Sequence, residues 1–326
     1  MVKWANRASP TIEAVATILA NTLRASKPTE RAGEKPWYWH LRAGLHFWHL
    51  ASLDAPTVAV AWGWAFAWTA HVRLAVWPLA LLGLVVWALY VGDRLLDARA
   101  GFSNPPSHDL RERHYFHWRH RWVLAPLAGA AGLAAAWIAR LRIPLIALPQ
   151  DSVVAVATLA YFSGVHSRFR PPAAVTRMLA VVGSRECLVG ALFALGCVLP
   201  AWSMDPVWSS PTSPIRLLAL PAIYFAALAW LNVRTITHWE APAAMRSDLR
   251  VGRAALWLVM AGLAIAMWLL PMQPRAAALV TAGAVSALLI GWLEQRRGIM
   301  SPLTLRATVD LILLTPLALV AVVMVR

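Results

Sequence analysis

The sequence predicts an all-α polytopic membrane protein of about nine transmembrane helices. Three observations carry that expectation. Hydrophobic residues make up 60% of the chain and charged residues 14%, with a mean hydropathy of +0.58, which lies outside the range of a soluble globular domain. The apolar residues fall into runs long enough to cross a bilayer as helices. Lys and Arg collect in alternate connecting segments, as the positive-inside rule requires.

In order, the runs cover residues 54–71, 74–92, 122–139, 151–166, 178–200, 214–233, 253–271, 276–293 and 304–325. Asp54 is well placed to cap the first, with Pro56 in its first turn. The second runs out into Leu89-Tyr90-Val91-Gly92-Asp93-Arg94-Leu95-Leu96-Asp97. Arg119 and Arg121 precede the third, and Arg140 and Arg142 follow it. The fourth is the weakest, because Pro149-Gln150-Asp151 interrupts the apolar stretch that begins at Ile143. Cys187 and Cys197 both lie in the fifth, too far apart along a straight helix to bridge. The sixth continues into a polar stretch from Asn232 to Glu240, and the ninth carries Arg306 and Asp310.

Charge supports this count. With the amino terminus in the cytoplasm, only Arg73, Arg140, Arg142, Arg216, Arg275 and Arg326 face outward, leaving 24 of the 30 basic residues inside. An odd number of spans then places the carboxyl terminus outside. The net charge of +15 calls for no nucleic acid; basic loops facing anionic headgroups or an anionic substrate account for it. Residues 1–45 read as a cytoplasmic tail, and 46–326 as the membrane domain. The tail lacks the compact apolar core of a signal peptide. Ile12–Leu23 could form a short amphipathic helix, and Lys27–Lys35 reads as a linker. Most of the 19 Trp fit helix ends at the interface, whereas Trp62 and Trp64 fall within a span, where packing and pocket lining compete. No His/Cys spacing suggests zinc, and no Gly-rich phosphate loop or nucleophile elbow is present.

The polar residues cluster at the cytoplasmic helix ends. Asp93 and Asp97, four residues apart, share one helix face, with Tyr90 a turn earlier. Such a pair is either a divalent-cation site or a solvated helix end. Asn232 and Glu240 are eight apart and roughly cofacial, and Arg234 and His238 form an i,i+4 pair between them. Asn232 could also serve as interhelical hydrogen-bond glue. Glu186 follows Arg185, and Asp310 lies one turn after Arg306; each admits a simple ion-pair reading beside a pocket role. The loop Arg111-Glu112-Arg113-His114-Tyr115-Phe116-His117-Trp118-Arg119-His120-Arg121 is an interfacial basic segment or a phosphate clamp, since guanidinium donors suit phosphate oxygens. Carboxylates from two helices could hold a hard cation such as Mg²⁺ against a diphosphate, with an apolar cavity for an isoprenoid tail.

Over about residues 45–325 the chain resembles the UbiA-like membrane prenyltransferase superfamily. The residues that carry the likeness are Leu53-Asp54-Ala55-Pro56 before the first span, Asp93-Arg94-Leu95-Leu96-Asp97, the Arg/His loop after it, and the polar stretch after the sixth span. The resemblance implies a UbiA-like bundle that transfers an isoprenoid group from a prenyl diphosphate to an aromatic or lipid-like acceptor, with Mg²⁺, in the cytoplasmic membrane. On that reading Asp93, Asp97 and Glu240 hold the metal, and Asn232 orients its ligand. Tyr90, Arg94, Arg113, His114, Arg234, His238 and Asp310 contact substrate. The chain departs from the family at Leu89-Tyr90, where Asn-Asp is usual. It departs again in a second motif reduced to Asn232 and Glu240. Fewer carboxylates weaken binding of several Mg²⁺ ions. A noncatalytic isoprenoid-binding or membrane-assembly protein is therefore the alternative. A transporter fits less well, since no internal repeat is visible.

Overall fold

The structure is a computed structural model that describes residues 36–103, 111–166, 185–204, 214–241 and 251–319. The expected tail helix at Ile12–Leu23, the linker, Asp205 and the carboxyl terminus lie outside the described residues. The chain divides into two units, 1–47 and 48–326. The described part of the first is the helical stretch 36–47.

The described residues are all-α, without a strand among them. The eleven helices are α1 Pro36–Leu50, α2 Asp54–Thr69, α3 Val76–Ser103, α4 Glu112–Arg119, α5 Arg121–Arg142, α6 Leu148–His166, α7 Arg185–Ser203, α8 Pro214–Glu240, α9 Val251–Leu269, α10 Pro274–Gln295 and α11 Pro302–Ile312. In the second unit α2 packs on α3, α7, α10 and α11; α7 packs on α8, α9 on α10, and α5 on α3. Several helices turn large apolar side chains outward: Leu133 and Trp137 on α5, and Trp257 and Met267 on α9. Water would penalise such faces and hydrocarbon does not, so the chain is a multi-pass membrane protein in class. Cation–π pairs stand at helix ends, Arg121 on Trp118 at 4.5 Å, Arg296 on Trp292 at 4.3 Å and Arg275 on Trp68 at 5.1 Å.

Six of these helices are long and apolar enough to span: α3, α5, α7, α8, α9 and α10. Nine were expected, and the other three fall short for local reasons. Helix α2 has only 16 residues and ends at a turn in which His71 adopts φ +60°. Helix α6 opens on Pro149-Gln150-Asp151, which lowers its hydropathy. Helix α11 stops after 11 residues, ahead of Pro316, whose ring conflicts with the carbonyl four residues earlier. The carbonyls freed there are satisfied by side chains: Ser286 Oγ donates to Ile312 O at 2.9 Å and Trp62 Nε1 to Leu313 O at 2.8 Å.

Trp62 therefore belongs to the core. It is 1% exposed and stacks on Phe225 at 3.8 Å, with Phe66 edge-on to the same ring at 5.9 Å. Small residues let helices approach closely around this centre. A Cβ on Gly190 of α7 would stand 2.8 Å from the Ala226 carbonyl and the Trp230 nitrogen of α8, so any side chain there would force the two helices apart.

Candidate functional site

A buried polar cluster forms where the ends of α1, α2, α3, α8 and α11 meet, and a tight turn creates its centre. Ser52 takes a left-handed conformation, φ +58°, which costs a non-glycine residue roughly 1 kcal/mol. Its nitrogen donates to His49 O at 3.1 Å and Leu53 N donates to Trp48 O at 3.0 Å. Neighbouring elements hold the turn: Trp87 Nε1 donates to Ala51 O at 3.1 Å, and Trp48 Nε1 to Thr57 Oγ1 at 3.1 Å. His117 of α4 donates from Nδ1 to Arg113 O at 2.8 Å, which leaves Nε2 to accept the Ser52 hydroxyl at 3.0 Å.

The turn folds His49 back onto Asp54. His49 Nδ1 lies 2.7 Å from Asp54 Oδ2, and both side chains have no exposure. Asp54 is thus the first residue of α2 and part of a buried pair, rather than the cap expected from its position; the N-cap Leu53 makes no side-chain cap hydrogen bond. The other oxygen, Oδ1, accepts from Ala55 N at 2.9 Å. Asp310 approaches from α11, its Oδ2 lying 3.7 Å from His49 Nδ1, while Asn232 Nδ2 of α8 donates to Oδ1 at 3.0 Å. From α3, Arg94 brings Nη2 to 3.9 Å from Asp54 Oδ2 and lies over the Tyr90 ring at 4.6 Å. Arg94 is 3% exposed, yet Nη1 and Nη2 have no hydrogen-bond partner; the same holds for Asn232 Oδ1, Asp310 Oδ2, His49 Nε2 and Arg306 Nε. Buried polar atoms in that state are expected to meet a ligand, ion or water.

A second knot adjoins the first through Arg306. Arg113 binds Glu240 through Nη1 at 2.8 Å and Nη2 at 3.3 Å, Arg306 pairs with Oε1, and Arg111 Nη2 donates to the Glu240 carbonyl at 2.8 Å. Around Glu240, Arg111, Arg113 and Arg306 leave a formal excess of two positive charges in a dry setting that favours an anion, whereas Arg94 alone faces Asp54 and Asp310. Burial lowers the His49 imidazole from its ordinary 6.5 to about 4 against the opposing pull of Asp54, so it is neutral near pH 7. Burial, then the Arg113 charge, lowers His114 to about 3, and burial lowers His117 to about 4. Arg113 falls to about 10, through burial and then Arg306.

Of the residues singled out in the sequence, Tyr90, Arg94, Asn232 and Asp310 meet in the first knot, and Arg113 and Glu240 in the second. Asp310 reaches Asn232, not a simple pair with Arg306. Asp93 and Asp97 lie on another face of α3, Asp97 exposed, where their charges act on Arg185 of α7, itself hydrogen-bonded to Tyr161 at 3.0 Å. Arg234 pairs with Glu186 at 3.0 Å. His114 Nδ1 accepts from Arg111 N at 3.2 Å, closing the first turn of α4, and His238 Nδ1 is buried without a partner. The expected metal set of Asp93, Asp97 and Glu240 does not come together as a cation cluster among the described residues. The cluster that does is His49, Asp54 and Asp310, each offering one ligand atom within 4.8 Å of the others. It could hold a divalent cation. Sequence reasoning passed over His49, whose signal was its position five residues before Asp54 in a Trp-rich segment.

Beside Asp54 opens an apolar groove of about 700 Å³, lined by Leu53, Pro56, Val60, Trp64, Trp87 and Leu317 among others. Trp64 thus lines a pocket, whereas Trp62 packs. The fold and this cluster define a polytopic helical membrane protein with a charged centre at the ends of its helices. No family model, no curated protein and no solved structure matches the chain.

Proposed function

We propose that the protein is a divergent membrane prenyltransferase, which moves an isoprenoid group from a prenyl diphosphate to an aromatic or lipid-like acceptor. One observation carries the reading. The buried polar knots, with four arginines against three carboxylates and neither Arg94 Nη atom in a hydrogen bond, lie at the same end of α2 as an apolar groove that starts at Leu53 and Pro56. A diphosphate headgroup with an apolar tail matches that juxtaposition. Arg94 and Arg306 would neutralise charge that develops on the leaving diphosphate, and Arg113 would add to it through the Glu240 knot. The carbon–oxygen bond breaks and its pair leaves with the diphosphate; the acceptor's electron pair then forms a bond to the allylic carbon, and the proton the acceptor sheds passes to the departing diphosphate. Dry apolar walls and Trp64 and Trp87 would keep water from the allylic cation. A divalent cation would offset phosphate charge; Asp54 and Asp310 are the carboxylates placed to hold one.

On the same reading the basic helix ends at Arg111–Arg121 and Arg296–Arg297 face the cytoplasm of an inner membrane, and, with all nine apolar runs crossing, the carboxyl terminus lies outside. The test incubates detergent-purified protein with prenyl diphosphates of several lengths, membrane lipid extract and, in separate arms, Mg²⁺ or Mn²⁺. Diphosphate release is expected, falling at least ~100-fold in Arg94→Ala if that guanidinium makes charge-assisted contacts in the transition state. Tight binding of prenyl diphosphate with no release from the wild type across the panel would instead identify a binding protein.

A further inference from the structure

We infer that His49, Asp54 and Asp310 form a binding site for a first-row transition-metal dication, of the Mn²⁺ and Zn²⁺ class, and not a Mg²⁺ site. The argument starts from orientation. Each carboxylate has one oxygen turned away and tied: Asp54 Oδ1 by Ala55 N at 2.9 Å, and Asp310 Oδ1 by Asn232 Nδ2 at 3.0 Å. Both Oδ2 atoms are left toward the His49 ring, at 2.7 and 3.7 Å from Nδ1. Fixing the outer oxygen to present the inner one is how outer hydrogen bonds orient metal ligands.

Charge makes the second point. Two carboxylates in one buried cluster repel each other unless a cation stands between them or they share a proton. The guanidinium of Arg94 does not fill that role, because it stops 3.9 Å from Asp54 Oδ2 and neither Nη atom makes a hydrogen bond. Asp310, 7% exposed, keeps Oδ2 unpartnered inside the cluster.

The third point is the donor set. Mg²⁺ favours an octahedron of oxygens and keeps several waters, whereas an imidazole beside two carboxylates suits Mn²⁺, Fe²⁺, Co²⁺ or Zn²⁺. The site itself is closed, with His49 and Asp54 fully buried and Asp310 7% exposed, which limits the water that Mg²⁺ would retain. None of this depends on prenyl transfer: the site rests on His49, Asp54, Asp310 and their tethers.

The experiment titrates Mn²⁺ alone into tag-free, chelator-stripped full-length protein in detergent, reading free Mn²⁺ by electron paramagnetic resonance. One Mn²⁺ per chain is expected, with Mg²⁺ displacing it only at about 100-fold excess or more. Pulsed resonance of the bound ion in the wild type should show nitrogen coupling from one imidazole, a readout that requires no variant. Asp310→Asn should weaken binding at least ~100-fold and Asn232→Ala by roughly 10–100-fold, while Asp93→Asn and Asp97→Asn leave it unchanged. Absent nitrogen coupling, equal competition by Mg²⁺, or loss of binding in Asp93→Asn with retention in Asp310→Asn would overturn the proposal. Mn²⁺ binding of this form without any prenyl transfer would remove the transferase reading and leave the metal site standing.

Discussion

His117 illustrates how single residues set this site. The ring is fully buried, with Nδ1 on the Arg113 carbonyl and Nε2 on the Ser52 hydroxyl, so it stabilises both α4 and the left-handed turn before Asp54. Because its folded pKa is depressed to about 4, the unfolded chain binds more protons between that value and 6.5. Stability therefore rises with pH across the window and is lost as pH falls through it. At pH 5 the loss is on the order of 2 kcal/mol from this residue. Thermal unfolding in detergent at pH 7.5 and pH 5 should show a drop in Tm for the wild type, and a clearly smaller drop for His117→Gln. Equal drops in the two proteins would exclude His117 as the source. Arg94 makes a complementary case: a buried guanidinium whose Nη atoms lack hydrogen bonds is costly to retain, and a ligand anion would compensate that cost.

At the scale of elements, Glu240 joins three of them. It ends α8, accepts from Arg113 of α4, and pairs with Arg306 of α11, with Arg111 held to its carbonyl. A short helix of eight residues has little stability of its own, so its docking rests on such contacts and on Phe102 packing against Trp118 at 5.1 Å. Glu240→Gln keeps the shape and removes the charge shared by the arginines. Amide hydrogen exchange over Glu112–Arg119 should speed by about tenfold, equivalent to ~1.4 kcal/mol, while α9 and α10 stay protected. If exchange there is unaltered, the arginine knot does not hold α4. The basic loop read from sequence as an interfacial segment or a clamp is thus a helix docked on the site through a carboxylate. That carboxylate's role was not legible from spacing, because its partners lie 127 and 66 residues away.

For the molecule as a whole, the apolar outer faces define the solvent. Leu133, near the middle of α5, is 76% exposed, and only 11% of that helix's apolar window is buried. In water an exposed Leu133→Arg change would cost little; in hydrocarbon it costs about 2.5–3.5 kcal/mol at a helix centre. Carbonate extraction and a glycosylation-mapping assay should show reduced membrane integration of Leu133→Arg. Integration equal to wild type would place α5 outside the bilayer.

Much of this was readable in the chain, for reasons that are local. Hydropathy averages over a segment, so the all-α character and the long apolar runs of α3, α5, α7, α8, α9 and α10 followed from the residues in order. So did the membership of Tyr90, Arg94, Asn232 and Asp310 in a polar region, since each sits among apolar neighbours where a polar side chain requires a partner. What tertiary structure decided was which partner. Asp93 and Asp97 looked like the metal pair because helical spacing puts them together, but the rotation of α3 turns Arg94 toward the centre and those carboxylates toward Arg185. His49 drew no attention, since residues five apart do not share a helix face with Asp54; the left-handed Ser52 turn brings the two to 2.7 Å. Asp310 joins from 78 residues beyond Asn232. Segment hydropathy needs only composition along the chain, whereas coordination depends on ångström-scale meetings between distant residues, and those follow from packing alone.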